Sequence, residues 1–520
     1  MLAIAVHTDH RRKPPPGSLV KQYLERISLS LIPMDTYHLG TCRLGTLSCA
    51  VQRAIVSHQN YRCMSRSPLD DLRNGIGNIV GRYDHTNLFF QGRSPGTWFA
   101  SSCKVRCKPV YNGDNLQYYS EMVNTFSDVF ITDGHWRKTL AAVRALGQNH
   151  IRTTVGESTR LSMAAYSRYC HKRVVYPSPR LTPQCFLDFL HDLLSKKPFR
   201  MLLPMEEDTS FLLSGHLEEF SRLTYLPIPP LDKLKWVQNK AHVIQLAKTL
   251  GIPTPQTWHI QELSQVDDIL DQLSYPVVIK PKVSSGAVGV VYPKSPRELK
   301  TAYHTIHRHF PFPMIQELIP REGRGYGASL LLDEYSQVKA GFVHKRLREY
   351  PVTGGASTLR VSVQNDDMYD MAKALLQKLE WFGVAMVEFK MDPRDGMPKL
   401  MEINPRFWGS LSLAIHAGVN FPLLLYKMAA GEHFDPVETY RTGIACRWLL
   451  PGDALHFLCN PNRRRIAKEF FRFYAPHTFY DILSIRDPMP AVIKTLSPLT
   501  FLYDADMKSR LKKRRDATFA

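Results

Sequence analysis

Residues 382–410 read FGVAMVEFKMDPRDGMPKLMEINPRFWGS, and this stretch indicates both the fold and the chemistry of the chain. Its two apolar runs predict β-strands, and the turn sequence at residues 392–396 joins them into a hairpin. In that hairpin, Glu388 on the first strand would lie near Glu402 on the second. Two carboxylates held side by side inside a sheet repel each other, so the pair favours a cation between them.

The residues after Glu402 extend this pattern. Asn404 follows two positions along the strand, on the same face, and provides a third oxygen ligand for a hard divalent cation. Pro405 ends the strand, and Arg406 just beyond it can hold a phosphate that the cation also contacts. The alternative interpretation is a half-exposed edge strand with a solvated polar face.

The second informative segment is residues 275–295, YPVVIKPKVSSGAVGVVYPKS. An apolar strand ends at Lys280, and a loop of small residues then leads into another strand. Backbone N–H groups in such a loop can approach phosphate oxygens, which the lysine neutralises. The segment is not a Walker P-loop, because no G-K-[ST] ends it and a strand follows. The alternative is a hairpin with a flexible glycine turn.

A third segment, MIQELIP at residues 314–320, predicts a strand that ends near Glu317 and Leu318. A strand end of this kind can present backbone groups to an adenine edge, while the acidic side chain binds the amino group or a ribose hydroxyl. The alternative is an ordinary strand end without a ligand.

A basic run precedes Gly354 and Gly355. Its cationic and imidazole side chains are costly to place together unless an anion neutralises them. The alternative is a solvated basic hairpin. The run comprises His344, Lys345, Arg346 and Arg348.

The chain divides by pattern into five segments. Residues 1–127 lack sustained periodicity and predict a poorly ordered or loosely packed extension. Residues 128–230 alternate strands and helices, as in an open parallel α/β sheet, and residues 231–254 form a linking helix. Residues 255–440 mix strands and helices, and residues 441–520 predict a basic helical tail.

Composition narrows the class of protein. The hydrophobic fraction of 44% and the charged fraction of 22% are typical of globular domains. No apolar run reaches about 18 residues, and the first residues lack the order of a secretory signal, so the prediction is a cytoplasmic protein. The nine cysteines have no zinc-type spacing and are interpreted as reduced thiols.

The formal net charge is +20, which raises the question of nucleic-acid binding. The basic residues are spread along the chain, with clusters at residues 463–465 and 512–515 and no nucleic-acid motif. A basic surface that attracts anionic substrates is the simpler interpretation, and no specific nucleic-acid partner is expected. The basic aromatic tail can contact an anionic membrane, but a surface helix packed on the protein is favoured.

In their order along the chain, these segments resemble the ATP-grasp superfamily, over residues 128–431. Within it, the chain is similar to carboxylate–amine ligases of the carbamoyl-phosphate-synthase-like branch. The resemblance implies an open parallel α/β pre-ATP-grasp domain followed by a two-lobed ATP-grasp fold, with a small nucleotide lobe at residues 255–320 and a catalytic lobe at 321–440. It also implies ATP and Mg²⁺, with Mn²⁺ as an alternative, and small-molecule carboxylate and amine substrates. Relatives often form homodimers.

The resemblance also implies roles for single residues. The residues that the resemblance implies as contacts of ATP are Lys240, Lys280, Ser285, Gly286, Gly289, Glu317 and Leu318. The metal ligands are Glu388, Glu402 and Asn404, and the basic residue that holds the γ-phosphate or the acyl phosphate is Arg406. Relatives often carry an acidic residue for the ribose where this chain has Ala328 and Ser329, and Glu322 is the substitute.

The leading hypothesis is an ATP-dependent ligase. It would activate a carboxylate as an acyl phosphate and join it to an amine, with His344, Lys345, Arg346 and Arg348 as candidates for steering the acid. Carbamoyl-phosphate-type activation of bicarbonate is an alternative within the same class. A regulator that binds ATP without turnover is an alternative from a different class. The sequence identifies neither the acid nor the amine.

Overall fold

The computed structural model describes residues 128–284, 288–320, 322–352, 354–500 and 504. The prediction for residues 1–127 therefore lies outside the described residues. The described chain begins with a four-stranded parallel sheet of order β3-β2-β1-β4. Its strands are β1 (Val129–Ile131), β2 (Thr153–Glu157), β3 (Lys172–Val175) and β4 (Met201–Leu203).

α-Helices follow β1, β3 and β4 of this first domain, whereas β2 and β3 are joined by a segment with a short 3-10 turn, Ala164–Tyr166. β1 and β4 are entirely buried, which is why each reads as an unbroken apolar run. The order β3-β2-β1-β4 places a topological switch point between β1 and β4, where residues after the two strands lie outside the carboxyl edge of the sheet. The helices are α1 (Arg137–Gln148), α2 (Pro183–Lys196), α3 (Glu207–Ser214) and α4 (Leu217–Ser221).

The linking segment contains two helices and not the single helix predicted from the sequence. They are α5 (Leu231–Gln238) and α6 (Lys240–Thr249). Asn239 between them has extended backbone, with φ −80° and ψ 103°, and its side chain accepts a hydrogen bond from the Ala241 N–H. Asparagine competes with a continuous helix in this way because its side chain caps the following turn. The break makes Lys240 the first residue of α6.

A small lobe follows, built on a three-stranded antiparallel sheet of order β5-β7-β6. The long helix α8 packs on this sheet through Leu299, Tyr303 and Ile306. These elements are β5 (Thr257–His259), α7 (Gln265–Asp268), β6 (Val277–Lys280), α8 (Pro296–His309) and β7 (Met314–Glu317).

The large lobe is a seven-stranded sheet of order β12-β11-β8-β9-β10-β13-β14. The first five of these are joined in antiparallel pairs, and the predicted hairpin is the β11–β12 pair at one edge. The strands up to the hairpin, with one intervening helix, are β8 (Gly325–Leu332), β9 (Val338–Tyr350), β10 (Ala356–Ser362), α9 (Asp366–Lys378), β11 (Gly383–Met391) and β12 (Pro398–Asn404).

The segment after residue 441 differs from the predicted helical tail, because it adds two strands to the large sheet. β13 pairs with β10, and β14 pairs with β13. Each strand has only three residues, too short to show a strand period in the sequence. The elements from the hairpin to the end of the described chain are α10 (Leu411–Ala417), α11 (Phe421–Ala429), β13 (Ala445–Arg447), α12 (Ala454–Cys459), α13 (Arg463–Phe470), β14 (Thr478–Tyr480) and α14 (Met489–Leu496).

The two faces of the large sheet carry separate hydrophobic cores. One face, with Phe342 and Met386, packs against α10, α11 and the first domain. The other, with Val343 and Val387, packs against α5, α6 and α9. Neighbouring residues of a strand therefore enter different cores, as the two-residue period of a strand requires. Among the helices of the described residues, none combines the length and apolar character needed to cross a bilayer.

Candidate functional site

The hairpin register brings the two predicted carboxylates together. Glu388 on β11 is paired directly with Glu402 on β12. A register shift follows, so that Phe389 pairs with Leu400. Because of this irregularity, Leu400 and Ile403 both enter the core that contains Phe389, while Glu402 stays on the face of Glu388. The alternation of a regular strand would not place Leu400 and Ile403 on one side.

Asn404 and Arg346 complete the contacts of the carboxylate pair. The Asn404 side chain lies between the two glutamates, with Nδ2 3.0 Å from Oε1 of Glu388 and 3.4 Å from Oε1 of Glu402. From β9, the Arg346 guanidinium pairs with Glu388, with Nη2 2.6 Å from Oε2. All three predicted metal ligands therefore meet at one place, with a cation on one side of them.

Two lysines approach the same place from other elements. Lys240, at the start of α6, has its Nζ 3.5 Å from Oε2 of Glu402 and 2.5 Å from the carbonyl oxygen of Ser284. Lys280, at the end of β6, donates to Oε1 of Gln316 at 2.7 Å. The backbone N–H of Lys240 also donates to the Lys282 carbonyl at 2.8 Å. Because the helix breaks at Asn239, Lys240 at the start of α6 can bind Lys282 and Ser284, and these hydrogen bonds connect the linking segment to the start of the glycine loop.

The surrounding charges act differently on the two glutamates. Burial raises the pKa of Glu388 above its ordinary value; the Glu402 carboxylate adds to the rise, and Arg346 opposes it. Burial would also raise the pKa of Glu402, but Lys240 and Lys280 bring it below its ordinary value. Glu402 is therefore the more firmly ionised of the pair. It faces the lysines, where a negative phosphate would also lie.

His344 and Gly327 continue the same face of the sheet beyond Glu388. Gly327 pairs with Glu388 on one side and with His344 on the other. A Cβ added at Gly327 would lie 2.5 Å from Cε1 of His344. Only glycine fits there, because any larger residue would displace the imidazole. Burial lowers the pKa of His344 well below its ordinary value, and Arg346 and Arg360 lower it further. His344 is therefore neutral, and it contacts the Ser410 hydroxyl at 3.1 Å.

Arg406 lies where the hairpin meets the first domain. Its charge contributes to the lowered pKa of Glu402, and its Nη1 donates to the Phe407 carbonyl at 3.0 Å. Lys138 on α1 donates to the same carbonyl at 3.0 Å and pairs with Glu206 at 2.7 Å. The buried Nε atoms of Arg346 and Arg406 have no hydrogen-bond partner within the described part of the chain. Both guanidinium groups therefore keep a donor available for a ligand.

Two residues of the basic run do not reach the site. Lys345 pairs with Tyr326 and Val361 and lies on the opposite sheet face from Arg346, with its Nζ 5.6 Å from the Tyr326 ring centre. Because successive strand residues point to opposite faces, Lys345 does not lie beside the two glutamates, and its catalytic role stays a prediction. Arg348 is buried and binds Asp453, with Nη1 2.8 Å from Oδ2. Its role is structural.

The strand end that is predicted to contact adenine is the end of β7. The Glu317 carboxylate accepts from the Gln256 N–H at 2.8 Å and pairs with Arg394 at 2.7 Å, so it is already bound to protein groups. Leu318 is partly buried, and Glu322 is exposed in the turn before β8. Ala328 and Ser329 are fully buried in β8.

Gly289 is the described end of the predicted phosphate loop, whose Ser285 and Gly286 lie outside the described residues. Its φ is +70°, and a Cβ there would lie 2.7 Å from Cγ of Pro281 and 2.9 Å from Cε2 of Phe310. The backbone conformation and the close neighbours both require glycine at this position.

Lys138, Gln316 and Ser410 contribute to the site but escape prediction from the sequence. Lys138 was detectable in principle, because it follows β1 in a parallel sheet whose carboxyl edge gathers functional residues. Gln316 and Ser410 carry no local signal, since their partners Lys280 and His344 are distant in sequence.

The donor set fits a magnesium ion. It offers two carboxylates and an amide oxygen, which Mg²⁺ prefers, and the repulsion between Glu388 and Glu402 gives a cation a favourable place. In the described chain, no group of three or more histidine, cysteine, aspartate or glutamate side chains is arranged to hold a metal. Two of the three predicted ligands, Glu388 and Glu402, belong to these types, and phosphate oxygens of a nucleotide would complete the coordination of such an ion.

Comparison with known proteins identifies related sequences. Residues 343–450 match the family described as "ATP-grasp in the biosynthetic pathway with Ter operon". The D-aspartate ligase of Enterococcus faecium is 26% identical over 222 residues, which cover 40% of this chain and 53% of that protein. The carbamoyl phosphate synthase large chain of Methanosphaerula palustris is 24% identical over 267 residues, which cover 48% and 24%. The chain thus spans about half of the first relative and a quarter of the second.

This chain shares its fold with a biotin carboxylase from Campylobacter jejuni, whose structure is described as a "Biotin Carboxylase-beta-gamma-ATP Complex". The TM-score is 0.52 at 13% sequence identity, and the match covers 61% of this chain and 74% of that one. The hairpin residues thus lie within the part of the chain that matches an ATP-grasp family, and the two-lobed fold agrees with that match. The relatives of this chain include a D-aspartate ligase and carbamoyl phosphate synthases.

Proposed function

We propose that this chain is an ATP-dependent ligase that joins a carboxylate to an amine and releases ADP and phosphate. The observation that carries the proposal is the meeting of Glu388, Glu402 and Asn404 with Lys240 and Arg346 at one end of the hairpin. These groups come from four separate elements. The similarity to a D-aspartate ligase supports the carboxylate–amine class.

The residues have complementary roles in the proposed reaction. Lys240 and Lys280 hold the phosphates of ATP on the small-lobe side, and Arg406 holds the transferring phosphoryl group on the first-domain side. Arg346, which Glu388 orients, faces the same centre and keeps its Nε free for an acid or acyl phosphate oxygen. Positioned charges of this kind supply most of the catalysis in phosphoryl transfer.

Glu388, Glu402 and Asn404 would hold Mg²⁺, with the ionised Glu402 as the stronger ligand. When bound, the ion neutralises charge on the phosphates of ATP. The chain's own part is to keep the three oxygen ligands aligned, which the hairpin register and the shift after Glu388 achieve. Because His344 is uncharged, Arg346 is the cation of β9 nearest to the carboxylate pair. The position of Arg346 therefore favours an anionic group of the substrate.

ADP release by the purified chain with Mg-ATP, measured against a panel of carboxylic acids and amines, tests the proposal. Release that requires both an acid and an amine, with an amide product detected by mass spectrometry, is the expected result. Release that needs bicarbonate and no organic acid would indicate carbamoyl-phosphate-type activation instead. ATP binding without stimulated release by any pair would favour a non-catalytic regulator.

The affinity for ATP should depend on pH through Lys280. Burial lowers the pKa of Lys280 to about 8, with Lys240 and Lys390 lowering it and Glu402 raising it. Since ATP binds the protonated amine better, its Kd should rise above pH 8, by at most about ten-fold per pH unit. Calorimetric titration from pH 7 to pH 9 measures this.

Two variants test whether Lys280 is the group that makes the ATP affinity depend on pH. Lys280→Met should bind ATP more weakly but with little change across the same pH range. Lys138→Met should keep the wild-type profile, although the pKa of Lys138 is also lowered to about 8, because that amine binds Phe407 and Glu206. A steep profile in the Lys280 variant would contradict the assignment.

A further inference from the structure

Helix α13 carries a surface that lies outside the proposed ATP site and takes no part in the proposed ligase reaction. The helix is fixed through Phe470, whose ring stacks on Phe457 with centroids 4.2 Å apart and an interplanar angle of 14°. Arg447 in β13 donates to the Phe470 carbonyl at 2.8 Å and lies over its ring at 4.7 Å. One side of the helix is therefore firmly attached to the large lobe.

The opposite side of the helix is cationic. At about 100° per residue, Arg464, Arg465 and Lys468 lie roughly 120° to 160° away from Phe470 around the helix axis. All three are exposed, as is Arg472 just after the helix. None of the four forms an ion pair with a residue that the structure describes.

Exposed aromatic residues continue directly from this cationic side. Phe471 is 59% exposed, Phe473 is 40% exposed and Tyr474 is 95% exposed. We call the set Arg464, Arg465, Lys468, Phe471, Arg472 and Tyr474 the basic aromatic surface. Leaving three neighbouring aromatic side chains in water is unfavourable unless another surface covers them.

We propose that the basic aromatic surface docks the protein on an anionic lipid bilayer. Phe471 and Tyr474 would enter the interfacial region, where amphipathic aromatic rings are favoured, while the arginines and Lys468 bind lipid phosphates. Residues 460–477 contain five Lys and Arg residues and one acidic residue, Glu469, whose carboxylate is engaged by Arg348 at 2.8 Å. The surface therefore complements a negative membrane.

Two other occupants fit less well. A second copy of the chain would bring two cationic surfaces together, which is repulsive. For a nucleic acid, the helix of eight residues extends only about 12 Å, so its cations follow few phosphates. The contiguous aromatic residues at its end offer apolar area that a bilayer covers better than a phosphate backbone does. The proposal does not depend on the ligase activity.

Co-sedimentation of the full chain with lipid vesicles tests this inference. Vesicles of phosphatidylcholine mixed with phosphatidylglycerol should bind the protein, and vesicles of phosphatidylcholine alone should not. Binding should weaken as salt is added. Equal binding to both vesicle types, or to neither, would overturn the proposal.

Matched variants locate the surface. Combining Arg464→Gln, Arg465→Gln and Arg472→Gln should weaken binding about a hundred-fold, at about five-fold per charge. Its control combines Arg297→Gln, Arg308→Gln and Lys378→Gln, which remove the same charge from exposed sites elsewhere and should leave binding nearly intact. Equal losses in the two triple variants would mean that only net charge matters, and would overturn the proposal.

The aromatic contribution has its own pair of variants. Tyr474→Ser should weaken vesicle binding, whereas Tyr335→Ser, at a 57% exposed tyrosine in the turn after β8, should not. A Tyr474 variant that keeps vesicle binding but loses self-association in analytical ultracentrifugation would assign the surface to a second copy. Preferential binding of a single-stranded RNA oligomer by the same residues would assign it to nucleic acid. Either result overturns the bilayer assignment.

Discussion

Replacing Glu402 by glutamine is expected to lower kcat/KM for ATP-dependent ligation by about 10³-fold. The substitution keeps the size of the side chain but removes the carboxylate that faces Lys240 and that the surrounding cations keep ionised. Loss of one preorganised electrostatic group at a site of phosphoryl transfer has effects of this order. Steady-state ADP release with the identified substrate pair measures the change.

A matched control separates chemistry from general loss of charge. Glu349→Gln also removes a carboxylate near Arg346, since its Oε1 lies 3.6 Å from Nη1, but Glu349 is not one of the three proposed ligands. It should lower kcat/KM by less than about ten-fold. Similar losses in both variants would refute the assignment of Glu402 as a metal ligand.

Asp481→Asn is expected to lower the free energy of unfolding by about 3–5 kcal/mol. Asp481 is buried, pairs with Arg137 at 2.5 Å and with Arg360, and accepts from the Cys446 thiol at 3.1 Å. The substitution leaves the buried Arg360 and the largely buried Arg137 without their counter-charge, and breaking a buried pair in this way has a cost of that size. The urea midpoint of unfolding measures the loss.

The pH dependence of stability should show the same interaction. Burial tends to raise the pKa of Asp481, but Arg360 and Arg137 lower it to about 2. Because this pKa is below that of the unfolded chain, the carboxylate stabilises the fold above about pH 4, and its contribution disappears as the pH falls through 2. The difference in stability between wild type and Asp481→Asn should therefore narrow over that window.

A surface aspartate provides the comparison for stability. Asp267 pairs with Lys300 at 2.9 Å, but both side chains are about half exposed. Asp267→Asn should therefore leave the urea midpoint unchanged. If the two aspartate variants unfold at the same urea concentration, Asp481 does not hold the fold together.

The sequence predicted those parts of the site in which a local pattern determines the geometry. The hairpin turn and its flanking strands sufficed to place Glu388 beside Glu402, because antiparallel pairing from a short turn leaves few registers. The end of a buried strand located Lys280. The resemblance to the ATP-grasp superfamily followed from the order of such segments along the chain, and residues 343–450 match a family of that type.

The structure differs from the sequence-based expectations where long-range contacts decide. Lys345 was grouped with Arg346 because the two are adjacent in sequence, whereas the pleat of β9 separates them. Asn239 interrupts a segment with a helical pattern by capping Ala241. β13 and β14 exist because β10 offers a free edge, and nothing within three residues could show that.

The pairing of Arg137 with Asp481 has a consequence for biosynthesis. The partners are 344 positions apart in the chain, so at about 5–20 residues per second a ribosome makes Asp481 roughly 20 to 70 seconds after Arg137. During that interval, Arg137 and later Arg360 are cations without this counter-ion, and β10 has an unpaired edge. The nascent chain therefore completes this part of its interior only when residues 445–487 emerge.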